Sequence, residues 1–215
     1  MDLEIKDYIV STDDKLLYDF CGFSATCPQD IKDALEAKPV DETLDLKINS
    51  YGGDVEAGKE IYAIIRARKD VTVEVRSVAA SAASLIAMGA PSSISPAGIV
   101  MIHNVSEMAS GNKNDLRKEA DTLAKYDESL AAAYSEKTGL AKDEILKMMN
   151  KTTWLTADEA VEKGFIDKIS EPSGQKAAAI NGNPITAEMR AKYEKHLEDE
   201  ETKKQLLDDL DKYGN

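Results

Sequence analysis

At 215 residues with 42% hydrophobic content, the chain is long enough to bury a full core. Its formal net charge of −13 argues against the nucleic-acid backbone as a partner, because that partner needs clustered Lys and Arg. No apolar run approaches the ~20 residues that span a bilayer, so no membrane partner is expected. Met1–Asp7 shows no basic stretch leading into an apolar one, so no signal peptide is read and a cytoplasmic location is expected.

Residues 1–170 alternate short β-like runs with helical ones, the pattern of an α/β layer fold. Leu3–Val10 and Lys15–Phe20 read as a strand pair joined by the polar turn Ser11-Thr12-Asp13-Asp14. Cys21 and Cys27 are too few for a disulfide framework or a zinc site and read as reduced packing residues. Pro28 suits the first turn of a helix running to Ala37. Leu44–Ile48 has the period of two expected of a strand. After the loop Asn49-Ser50-Tyr51-Gly52-Gly53, Asp54 is placed to cap a helix whose apolar face is Val55, Ile61, Tyr62 and Ile65.

Val71–Arg76 alternates as a strand, and a helix follows through Leu85, Ile86, Ala87 and Met88 to a glycine stop at Gly89. Ile99–Ile102 is apolar throughout, as in a strand buried on both faces. A long helix is predicted from Asn114 to Lys137, with Leu116, Ala120, Leu123, Leu130 and Tyr134 at helical spacing and Thr138-Gly139 at its end. A short helix covers Asp143–Met149. Thr156-Ala157-Asp158-Glu159 is a capping box for a helix closed by Gly164, and Ile166–Ile169 reads as a last strand. Composition then shifts. Residues 171–186 are small and polar, a linker, and residues 187–215 form a charged tail with a thin stripe at Met189, Tyr193, Leu197, Leu207 and Leu210. That stripe fits a mostly solvated tail, or an exposed helix awaiting a partner.

Ser81, in Val78-Ala79-Ala80-Ser81-Ala82-Ala83-Ser84, falls between a strand and a helix. There its hydroxyl lies beside free backbone N–H groups that favour negative charge. An isolated Ala-Ser-Ala is ordinarily a capping or packing serine, so its partners decide. Nucleophilic catalysis by serine needs a base, an orienter for that base, and donors for the oxyanion. The chain has two histidines. His196 sits among charges in the tail and reads as a solvated surface residue. His103 ends the Ile99–Ile102 strand at what would be a sheet rim, and is the base almost by elimination. Gly52-Gly53 follows its own strand as Ser81 follows Val71–Arg76. If the two strands are neighbours, the glycines bring bare backbone N–H close to the serine.

The segments Ile48-Asn49-Ser50-Tyr51-Gly52-Gly53-Asp54-Val55, Ala79-Ala80-Ser81-Ala82-Ala83-Ser84, Val100-Met101-Ile102-His103-Asn104, Trp154-Leu155-Thr156-Ala157-Asp158-Glu159-Ala160-Val161 and Gly164-Phe165-Ile166-Asp167 occur in the order of the Clp proteolytic subunit family. The Ala-Ala-Ser-Ala-Ala-Ser, Met-Ile-His-Asn and Trp-Leu-Thr-Ala forms look most like its bacteriophage branch, the head maturation (prohead) proteases. The resemblance covers about residues 1–170. It implies an α/β fold, the ClpP/crotonase-like superhelix of repeated ββα units, with the Asn114–Lys137 helix as a protruding handle. It also implies a serine endopeptidase assembled as a homo-oligomeric ring, a heptamer or a stacked double heptamer. In this branch the protein substrates would be capsid or scaffold proteins, with no ATPase, no cofactor and no metal. Carried over by position, Ser81 is the nucleophile, His103 the general base, and the N–H groups of Gly53 and Ala82 the oxyanion hole.

Two positions depart from the family. Its third triad member, an acid, corresponds to Thr152 in Lys151-Thr152-Thr153-Trp154. A hydroxyl there can hold the histidine tautomer but cannot offset the imidazolium charge. Asp115, Asp121 or an acid of a neighbouring subunit are alternatives. Tyr51 stands where the family has proline or glycine, and either narrows the binding groove or simply packs. Three other readings compete: a housekeeping Clp subunit working with an ATPase, a crotonase-type acyl-CoA enzyme of the same fold, and a non-catalytic structural ring of head assembly.

Overall fold

The structure, a computed structural model, describes residues 1–171, 191–198 and 204. In chain order the elements are β1 Asp2–Ile9, α1 Thr12–Phe20, β2 Ala25–Thr26, α2 Pro28–Ala37, β3 Leu44–Gly53, α3 Val55–Arg66, β4 Val71–Ala80, α4 Ala82–Ala87, β5 Ser92–Ile94, β6 Ile99–Ile102, α5 Lys113–Thr138, α6 Lys142–Asn150, β7 Thr153–Thr156, α7 Ala157–Glu162 and β8 Lys168–Ile169. The strands form one sheet in the order β2-β1-β3-β4-β5-β8, with β6 pairing both β4 and β7. Every pairing is parallel except β6–β7. This is the α/β architecture expected of a Clp-type fold, in which parallel strands are covered by the helices that connect them.

The core follows from that layering. Ile5, Leu46, Ile48, Val73 and Val75 of the central strands pack with Ile61 and Ile65 of α3 and with Ile86 of α4, all essentially removed from water. β4 is the hinge of the sheet. Its residues Val73–Val75 pair with β5, while Val78–Ala80 pair with β6. The strand therefore changes neighbour along one edge, and its last residues meet a strand that ends at the same rim.

Lys15–Phe20 is helical, part of α1, where the sequence suggested a strand. Ser11 caps it, its Oγ accepting the Asp14 N–H at 3.0 Å, and Lys15 pairs with Asp19 one turn on. The helix buries the adjacent pair Leu17 and Tyr18 and leaves Leu16 65% exposed, which a strand with alternating faces would not do. β3 and β4 each run several residues past the alternating stretches that announce them. The extra length carries the site.

α5 starts from a capping box between Asn112 and Asp115 and stops at Gly139 in the left-handed conformation (φ +75°). Only Leu130, Ala131 and Tyr134 of this helix are buried, so its N-terminal half stands away from the sheet with Leu116 exposed. Residues 191–198 are helical, and Tyr193 and His196 lie against Phe20, at ring separations of 5.2 Å and 4.9 Å. His196 is thus stacked on an aromatic ring as well as exposed. The linker beyond Glu171 and the stripe residues Met189, Leu207 and Leu210 lie outside the described residues.

Candidate active site

Parallel pairing of β4 with β6 brings the candidate nucleophile and base together. The register sets Ala80 beside Met101, and the Ser81 N–H continues the ladder to the Met101 carbonyl at 2.9 Å. The next residues along both chains are those at the rim, and there Ser81 Oγ lies 2.8 Å from His103 Nε2. A hydroxyl hydrogen-bonded to an imidazole nitrogen at this distance is the contact a serine nucleophile needs with its base.

Ser81 sits in a backbone conformation that side-chain-bearing residues rarely adopt, φ +55° and ψ −125°, between the last residue of β4 and the first of α4. The sharp turn costs of order 1–3 kcal/mol and holds the hydroxyl out of the helix. What secures it is buried. Ser84 Oγ donates to the Ser81 carbonyl at 2.7 Å and lies 2.9 Å from the hydroxyl of Tyr134 on α5. Burial pushes the Tyr134 phenol up to about 12, against a smaller opposing pull from Ser84, so it stays protonated.

The glycine pair is positioned by a bulge in β3. Asp7 pairs with Ser50 but Tyr8 pairs with Gly52, so Tyr51 is the extra residue and its ring is half exposed. Ser50 stitches the bulge, its hydroxyl donating to the Asp7 carbonyl at 2.7 Å and accepting the Gly52 N–H at 3.0 Å. A Cβ at Gly52 would stand 2.9 Å from Ser81 Cβ and 3.0 Å from Ala82 N, which shows how closely this loop backs the serine. At Gly53 a Cβ would come within 2.1 Å of the Ile9 carbonyl. Both positions therefore require glycine. Gly53 lines the same cleft as Ser81. Ala82, at the first position of α4, has an N–H with no carbonyl of that helix to receive it.

The cleft has a volume of about 420 Å³ and is lined by Ser81 and His103, with Val55, Leu123, Tyr126 and Leu130 among its apolar residues. His103 is half buried, and burial lowers its proton affinity below the ordinary histidine value while the carboxylate of Asp127 pulls it partway back. Asp127, from the middle of α5, accepts the Val105 N–H on Oδ1 at 2.7 Å. Burial raises its own pKa, opposed by that N–H and by His103. Asn104 donates to Asn150 Oδ1 at 2.7 Å and ties the exit of β6 to α6.

Thr152 stands one position beyond the Ile102–Thr153 pair of the β6–β7 ladder, and so beside His103 in register. Its backbone is in the left-handed region at φ +52°, its side chain is exposed, and among the described residues its hydroxyl makes no hydrogen bond to the imidazole. Asp115 belongs to the Asn112 capping box, and Asp121 is exposed on the projecting half of α5. Asp127 and Tyr134 are residues around the site that the motifs did not pick out, and Ser84 lies within a quoted motif that gave it no role. Tyr134 carried a signal as a member of the α5 apolar stripe. Asp127 carried none, because its bond runs to a backbone N–H rather than to a side chain.

Among the described residues there is no cluster of three or more His, Cys, Asp or Glu side chains able to hold a metal ion, and no helix long and apolar enough to cross a membrane. The model of the Clp protease family matches residues 33–173, a span that takes in Ser81, His103, the glycine pair and α5. The chain belongs to the Clp protease family of peptidases.

Proposed function

We propose that this protein is an ATP-independent serine endopeptidase that cleaves phage capsid or scaffold proteins during head maturation. His103 Nε2 takes the proton of Ser81 Oγ as that oxygen bonds to the scissile carbonyl carbon. The carbonyl electron pair moves to its oxygen, which the N–H groups of Gly53 and Ala82 receive. His103 then returns the proton to the amide nitrogen as the C–N bond breaks, and water repeats the sequence on the acyl-enzyme. The observation that carries this reading is the 2.8 Å contact between Ser81 and His103, made by a serine held at positive φ.

The head-maturation assignment rests on the resemblance of the Ser81 and Trp154 segments to the phage branch, and it places the enzyme in the host cytoplasm or the prohead interior. The working form is a homo-oligomeric ring, a heptamer or a stacked pair. Exposed Ile99 and Trp154 on the β6–β7 face and exposed Leu116 on α5 support an assembly that covers them.

A fluorophosphonate probe tests the chemistry. Wild type should be labelled and Ser81→Ala should not, whereas absence of labelling from pH 5 to 9 would favour a non-catalytic ring. Co-expression with the capsid protein of the same phage should yield a shortened capsid band only with wild type. A stable complex with a Clp-type ATPase would point instead to the housekeeping reading.

A further inference from the structure

The family's acid is missing at Thr152, so the positive charge that forms on His103 has no support from that side. Among the described residues His103 has one hydrogen-bonded side-chain partner, Ser81. The nearby carboxylate is that of Asp127, tied to the strand exit two residues beyond His103 and on a different element from the one the motif indicates. Asp127 is half buried, and its Oδ1 takes the N–H of Val105, two residues beyond His103. The other acids of the cleft differ in their attachments. Asp54 caps α3, and Glu56 is bound by Lys59 and by the hydroxyl of Tyr126, while Glu107 and Glu119 line the cleft wall.

We propose that Asp127 is the positioning residue for His103: through Val105 it fixes the backbone that presents the imidazole, and its negative charge stabilises the imidazolium formed when Ser81 is deprotonated. The proton moves only between Ser81 Oγ, His103 Nε2 and the leaving amine. This inference rests on the serine-peptidase reading above. It places the orienter on α5, where it reaches the base through the main chain and by its field.

The test is the rate of fluorophosphonate labelling against pH for wild type, Ser81→Ala, Asp127→Asn and Asp127→Ala, with a thermal melt of each. Asn keeps an acceptor for the Val105 N–H and loses the charge. Asp127→Asn should therefore melt close to wild type and be labelled roughly 10- to 100-fold more slowly. Its pH midpoint should move to lower pH, because the imidazole has lost the anion that favoured its proton. A purely structural role would leave the midpoint in place. Asp127→Ala should also lower the melting temperature. Labelling of Asp127→Asn at the wild-type rate with an unmoved midpoint overturns the proposal. Should Asp127→Asn fail to fold, Asp127→Glu and Asp127→Gln carry the same charge difference, and equal rates and midpoints in that pair overturn it as well. If wild type itself is never labelled, the serine reading falls and this proposal with it.

Discussion

Tyr134 donates its hydroxyl proton to Ser84 inside the core, because Ser84 has already committed its own proton to the carbonyl of Ser81. The direction of that 2.9 Å bond is therefore fixed by counting protons. A fully buried phenol on α5 thus supports the backbone turn that carries the candidate nucleophile.

Tyr134→Phe removes the donor and leaves the Ser84–Ser81 bond intact. The expected cost is about 1 kcal/mol, or a fall of roughly 2–4 °C in melting temperature, with labelling retained. Ser84→Ala goes further, stranding the Tyr134 hydroxyl and leaving the Ser81 carbonyl with only the backbone N–H groups of Ser84 and Leu85. It should cost about 1–3 kcal/mol and slow labelling as well. Melting curves and labelling rates on the two variants separate these outcomes, and equal effects would show that the turn does not depend on Ser84.

His103 must be neutral to accept a proton, so activity should rise with pH through its pKa. Burial depresses that pKa more than Asp127 restores it, which places the half-rise below the ordinary value of 6.5. Between pH 6.5 and that lower value the unfolded imidazole binds a proton more readily than the folded one, so acidification through this window should also reduce stability. A labelling profile with its midpoint at or above 7 would contradict this environment for His103.

The two glycines should fail differently. Gly53→Ala forces a Cβ to 2.1 Å from the Ile9 carbonyl and drives β1 from β3, so it should destabilise the fold by more than about 3 kcal/mol. Gly52→Ala instead presses on the Ala80 carbonyl at 2.7 Å and on Ser81 Cβ at 2.9 Å. Folded Gly52→Ala protein should lose most of its labelling while melting above Gly53→Ala. Full labelling of folded Gly52→Ala would show that the loop does not back the serine.

Thr152 is a β-branched residue at positive φ, where Asn and Asp are better tolerated. Thr152→Asn should raise the melting temperature by relieving that strain, without a change in labelling. Thr152→Asp should match its stability and also speed labelling by about 3- to 10-fold, because it adds a carboxylate beside His103. Equal labelling by the two variants would show that a charge at this position does not reach the imidazole.

The elements with strong local signals were legible in the chain. The capping box at Thr156, the Asp54 cap and the valine-rich strand all report themselves within a few residues. The contact between Ser81 and His103 was readable as an expectation because a strand end precedes each feature, and parallel pairing carries both to one rim. Long-range registers were not readable. The bulge at Tyr51 depends on the pairing of β1 with β3, and the role of Asp127 depends on where α5 crosses the exit of β6. The helix over Lys15–Phe20 reads as a strand in sequence because Leu16, Leu17, Tyr18 and Phe20 fit either period, and the deciding cap is the bond from the Asp14 N–H to the Ser11 side chain.

Among the described residues, three non-glycine positions have positive φ, and two of them, Ser81 and Thr152, sit on either side of His103. A search for thermostable variants that ignored reactivity would be drawn to both, because glycine at either relaxes the main chain at little cost in packing. At 152 such a gain comes free of any known chemical penalty. At 81 it would erase the hydroxyl, so a hardier protein recovered from that screen would be one without the proposed nucleophile.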